Sequence, residues 1–107
     1  MVGTAGAQLT VVSWLRLTPR DGAGTRLESA FAELEVFEHS RRSGGFLGGR
    51  LLRPLAGSAP HVVLAEWEDA TAYQRWLDNP VRSELGAQLE PLLSGDVASG
   101  MLYEVVR

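Results

Sequence analysis

Two stretches of this chain are apolar on both of the faces that a β-strand presents, which limits what can surround them. From Gln8 to Thr18, Leu9, Val11, Ser13, Leu15 and Leu17 point one way, and Thr10, Val12, Trp14 and Arg16 the other. From His61 to Trp67, His61, Val63, Ala65 and Trp67 oppose Val62, Leu64 and Glu66. A sheet built on such strands needs cover on two sides. Helices of the same chain supply one cover, and the sheet of a second copy is the economical supplier of the other.

The remaining sequence supplies those helices. Pro19 ends the first strand, and Asp21-Gly22-Ala23-Gly24 is a loop. Thr25 and Glu28 stand at capping-box spacing, and behind them Leu27, Ala30, Phe31, Leu34 and Phe37 recur at helical spacing. The pattern predicts one helix to about Arg42, ended by Gly44-Gly45, where positive φ is cheap. A second strand runs over Phe46 to Arg53, and Pro54 to Pro60 turns the chain into the third. Asp69 can cap a second helix carrying Tyr73, Trp76 and Leu77, which Asn79-Pro80 breaks or kinks. Val81, Leu85, Leu89 and Leu92 continue the helical stripe, and Gly100 to Arg107 forms a last strand. The order β-α-β-β-α-β is the ferredoxin-like split βαβ of the α+β class. Residues 1–7 read as a loose tail and 8–107 as one domain, a reasonable assignment for a chain of 107 residues.

Composition removes several kinds of chemistry. A net charge of −3 argues against a nucleic-acid partner, which needs a basic patch. No apolar run is long enough for a membrane span, the start carries no signal-peptide pattern, and the cytoplasm is the default address. Cysteine and lysine are both absent, so thiol nucleophiles, iron–sulfur ligation, Schiff bases and a P-loop are excluded. Gly44-Gly45-Phe46-Leu47-Gly48-Gly49 precedes a strand, not a helix, and reads as a turn plus a strand that another element approaches closely.

What remains is an apolar pocket between sheet and helices. Ser13 is the single hydroxyl on the Leu9–Leu17 face, Trp67 ends the third strand, and Tyr73 and Trp76 follow on the second helix. These aromatics serve equally as core or as the walls of a flat pocket for an aromatic ligand. His39 lies four residues after Glu35 and can pair with it, and Arg82 follows the Pro80 break, where it can hold a carboxylate or enolate oxygen. Two histidines far apart in sequence make no metal signature.

Gly45-Phe46-Leu47, Val62-Val63-Leu64-Ala65-Glu66-Trp67-Glu68, Ala72-Tyr73, Trp76-Leu77 and Asn79-Pro80 resemble the antibiotic biosynthesis monooxygenase family, in order and spacing over about residues 9–106. The resemblance implies a four-stranded antiparallel sheet, with two sheets pairing into a dimeric α+β barrel. It implies oxygenation of a phenolic or anthrone-type, polyketide-like ring by O₂ with no cofactor. Trp67 and Tyr73 would donate hydrogen bonds to the forming oxyanion, with Ser13 as the third catalytic candidate. Trp76, Phe37, Val63, His39 and Arg82 complete the expected substrate-binding set. Val63, Leu52 and Gly86 occupy positions where oxygenase members commonly carry Asn, His and Arg. Gly86 also matches the heme-ligating histidine of the heme-degrading branch, and Ser13 that branch's first-strand asparagine, so Ser13, His39 or Arg82 must supply polar groups in another arrangement. Two alternatives share the fold: a cyclase or isomerase that works without oxygen, and a non-catalytic dimer that binds a small molecule.

Overall fold

In a computed structural model the protein is described over residues 10–57, 59–95 and 100–107. The first strand, β1 (Val11–Leu17), leads to α1 (Gly24–Glu33) and α2 (Val36–Ser43). β2 (Phe46–Leu52) and β3 (His61–Trp67) form the hairpin, followed by α3 (Ala70–Leu77), α4 (Pro80–Leu89), a 3₁₀ turn (Glu90–Leu92) and β4 (Met101–Glu104). The sheet order is β2-β3-β1-β4, with every neighbouring pair antiparallel. This is the ferredoxin-like arrangement, with the two apolar strands at the centre. The expected start of β1 at Gln8 and Leu9, and the tail before it, lie outside the described residues.

Register explains the two faces. Val11 faces Trp67 across the ladder, Ser13 faces Ala65, and Leu17 faces His61; all six are buried, on the side where the helices pack. On the other side Val12, Trp14, Val62 and Leu64 are half-buried, and Leu52, Met101 and Tyr103 are 41%, 51% and 52% exposed. That face lacks cover within the described chain.

The single first helix expected to reach Arg42 is two helices. Glu35 adopts a left-handed conformation (φ 51°, ψ 47°) and separates α1 from α2. Packing accounts for the break. On one straight helix Phe31 and Phe37 would stand about 120° apart around the axis; across the break their rings meet edge to face at 5.1 Å. The capping box does not form either. Ala23 is the N-cap, without a side-chain bond. The Glu28 carboxylate turns instead to Arg53, at 2.7 and 2.6 Å, and to His61 Nε2 at 2.8 Å. Charge-assisted bonds of this kind outcompete a cap. They hold Glu28 down to about 2, with the Arg53 hydrogen bond the largest cause and His61 the next.

Other local signals act as their chemistry dictates. Asp69 Oδ1 accepts from Ala72 N at 2.8 Å, and Asn79 Oδ1 accepts from Val81 N at 3.0 Å to start α4 behind Pro80. Gly45 sits at φ 77°, where a Cβ would collide with that of Ala72. A Cβ on Gly49 would stand 2.5 Å from Phe37 Cε1, so β2 is bare there for the ring to approach.

Candidate active site

The core divides into two clusters. One gathers Trp67, Tyr73, Trp76 and Leu85 with Val11 and Phe46; the other gathers Leu17, Leu27, Phe31, Leu89 and Leu93. Leu34, Val36 and Phe37 pack against both. A cavity of about 370 Å³ lies where the clusters meet, between the sheet and helices α2, α3 and α4. Its walls are mostly apolar. Phe37, Trp67 and Tyr73 of its wall are joined through Phe46 behind them: Phe37 on Phe46 at 5.7 Å, Phe46 on Trp67 at 5.2 Å, and Trp67 on Tyr73 at 5.7 Å.

Ser13, Trp67, Tyr73, Trp76, Phe37, Val63 and Arg82 all line this cavity. His39 does not. On α2 the residues turned inward are Val36, Phe37 and Ser40, and His39 sits about 100° round the helix from Ser40. Its contact with Glu35 is through the backbone, His39 N donating to Glu35 O at 3.1 Å. The other histidine, His61, is buried beside Glu28 outside the lining, and its Nδ1 has no hydrogen-bond partner among the described residues. The cavity therefore has no imidazole among its described residues.

The polar groups are few and specifically arranged. Trp67 is 1% exposed, and its indole Nε1–H donates to Ser13 Oγ at 3.0 Å. The indole N–H expected to reach substrate is thus engaged within the protein. The sheet sets this up: Trp67 pairs with Val11 and Ser13 with Ala65, making Ser13 and Trp67 diagonal neighbours on one face, within reach of a long side chain. Tyr73 Oη accepts from Gly100 N at 3.2 Å. Each hydroxyl oxygen already accepts a bond, and neither hydroxyl proton has an acceptor among the described residues. Ser40 differs, because its hydroxyl donates to Val36 O at 2.9 Å.

A family model, antibiotic biosynthesis monooxygenase, matches residues 10–85. The chain belongs to the antibiotic biosynthesis monooxygenase family. Within that family it is similar to a heme oxygenase (mycobilin-producing) of Mycobacterium tuberculosis, 38% identical over 87 residues, covering 79% of this chain and 78% of that protein. Its fold matches SnoaB, a cofactor-independent oxygenase of Streptomyces nogalater, with a TM-score of 0.74 and 27% identity over 92% of this chain and 95% of that one. It also matches the M. tuberculosis heme-degrader MhuD, solved with two hemes in its active site, with a TM-score of 0.72 and 35% identity over 91% and 96% of the two chains. These family relatives are oxygenases of two kinds.

Several lining residues were not singled out from sequence, among them Leu15, Phe31, Ser40, Leu85 and Leu89. The signal for most was present. Leu15 shares its face with Ser13, and Leu85 and Leu89 belong to the α4 stripe. Ser40 carried none, because the break at Glu35 resets the helical phase.

Proposed function

We propose that this family member is a cofactor-independent monooxygenase that oxidises a phenolic or anthrone-type aromatic to a quinone or hydroxylated product with O₂. The observation that carries the reading is the pair of unengaged hydroxyl protons, on Ser13 and Tyr73, in an apolar aromatic-walled cavity. In a dry site, fixed donors stabilise an oxyanion far more than they do in water. Bound there, the substrate's carbonyl or phenol oxygen would accept from both hydroxyls, which favours loss of a proton to solvent from a carbon conjugated with that oxygen, in an anthrone the CH₂ across the central ring. The resulting carbanion passes an electron to O₂, the two radicals combine, and the hydroperoxide loses water. For an anthrone, the CH₂ carbon becomes C=O, and O₂ yields one carbonyl oxygen and one water. Trp67 acts on the reaction through Ser13, by fixing which way its hydroxyl points.

The same reading has the chain work as a homodimer, with the apolar sheet face around Trp14 and Leu64 covered by a second copy. Heme degradation is the second reading, favoured by the 38% identity to a heme oxygenase. It lacks a cavity histidine to hold the iron. Steady-state kinetics on an anthrone, beside a titration with hemin, separate the two. Ser13→Ala and Tyr73→Phe should each lower kcat by about 10²–10³, the scale for one oxyanion donor. Unchanged kcat in both variants would remove the proposed roles, and tight stoichiometric hemin binding followed by reductant-dependent loss of the heme spectrum would favour the second reading.

A further inference from the structure

Arg82 is the one cation in the lining, and the described residues leave its charge unanswered. It is half-buried on the first turn of α4 and faces the cavity, and its guanidinium makes no hydrogen bond or ion pair among the described residues. Stability does not account for it there. A cation at the start of a helix meets the positive end of the helix dipole, and that first turn carries no acidic residue to offset it. Glu90, the one carboxylate in the lining, is eight positions further on, about 12 Å along a helix axis. The five N–H donors of the guanidinium therefore have room for a planar acceptor that the described residues do not supply.

The wall next to Arg82 is open. Gly86 lies one turn on, on the same face, and a Cβ built there would meet nothing within 4 Å. A helix that is bare at this point lets a flat ring system lie against its backbone. Arg82 and Trp76 stand on the two sides of the α3–α4 junction, and both line the cavity. Ring surface is thus offered at Gly86 and Trp76, a paired cation at Arg82, and hydroxyl donors at Ser13 and Tyr73.

We infer that the substrate is an aromatic carboxylate, its carboxylate held in a two-pronged bond by Arg82 while its oxidisable ring lies toward Ser13 and Tyr73. Guanidinium matches carboxylate geometry in a way a point charge cannot. The inference rests on the aromatic-cavity reading above and adds a charge requirement to it. It also makes Arg82 the residue that selects among aromatic substrates.

The test compares 1-naphthoate with its uncharged isostere 1-naphthamide, by quenching of tryptophan fluorescence in the full chain. The wild-type protein should bind the carboxylate about tenfold or more tightly than the amide, the scale of a charge-assisted hydrogen bond. High salt should shrink that ratio, because Arg82 is only half-buried. Arg82→Gln should bring the ratio to about one, and Arg82→Lys, which keeps the charge and loses the fork, should leave it between the two. Thermal melting checks that both variants fold. Equal binding of the two ligands by wild type, or an undiminished ratio in Arg82→Gln, overturns the inference and leaves the aromatic cavity standing. Failure of both ligands to bind overturns both readings.

Discussion

The bond from Trp67 to Ser13 orders the proposed site, and a double-mutant cycle measures it. Both partners are buried, 1% and 5% exposed, so removing one leaves the other without its hydrogen bond and away from water. Orphaning a buried polar group costs about 1–3 kcal/mol, so Ser13→Ala should destabilise by about 2 kcal/mol. Trp67→Phe orphans the serine and also leaves a void beside Phe46 and Tyr73, for about 3 kcal/mol in all. Independent effects would sum to about 5 kcal/mol, since distant sites add. The double variant contains no orphan, only the void, and should lose about 2–3 kcal/mol. A coupling of about 2–3 kcal/mol is therefore expected. Urea unfolding at fixed protein concentration reads it, since about 2 kcal/mol moves the midpoint by roughly 1 M at a slope near 2 kcal/mol per M. Additivity within about 0.5 kcal/mol would refute the reasoning, because the buried bond would then contribute nothing that its partners do not contribute separately.

Three further outcomes follow from packing and charge. Gly45→Ala should destabilise by more than Gly22→Ala, because both sites have positive φ but only Gly45 is crowded, by Ala72; with strain alone near 1–2 kcal/mol, equal melting temperatures for the two variants would contradict the crowding. Glu28 falls from its usual 4.5 to about 2 on folding, so its stabilising contribution is complete above about 4.5 and is lost as pH falls toward 2. Glu28→Gln should flatten the dependence of the urea midpoint on pH across that window, and an unchanged slope would rule the carboxylate out as its source. Leu64→Arg, on the uncovered sheet face, should halve the mass found by sedimentation equilibrium if a second copy covers that face, and an unaltered mass would move the interface elsewhere.

The fold was legible because its determinants are local or periodic. Strands apolar on both sides had to be central, and β1 and β3 are the two inner strands of the sheet. Asp69, Asn79 and Gly45 act through neighbours one to four residues away or through their own φ, so sequence alone could name their roles. The break at Glu35 was not legible. It answers a contact between Phe31 and Phe37 that a helical periodicity cannot contain, and no glycine or proline marks it. Glu28 misled for the same reason, since its spacing from Thr25 is a capping signal while its partners, Arg53 and His61, are more than twenty residues away.

The site followed the same division. Ser13 was conspicuous as a hydroxyl in an apolar series, and Trp67, Tyr73 and Trp76 as clustered aromatics. Which hydrogen bonds they make depends on register, which pairs Trp67 with Val11 and so brings its indole to Ser13. His39 was a candidate only by its chemistry, and the helical phase after the break turns it from the cavity. Arg82 was a candidate by its type and place after Pro80, but that its guanidinium is unpaired among the described residues and lines the cavity could be read only from the structure.

The most direct test of the oxygenase reading is stoichiometry. Metal-stripped protein, given an anthrone in an oxygen electrode, should consume one O₂ for each quinone formed, release no hydrogen peroxide, and be indifferent to chelator. Conversion of the substrate to a product at the same oxidation level, at the same rate in air and under nitrogen, would contradict the account and leave a cyclase or isomerase on this fold.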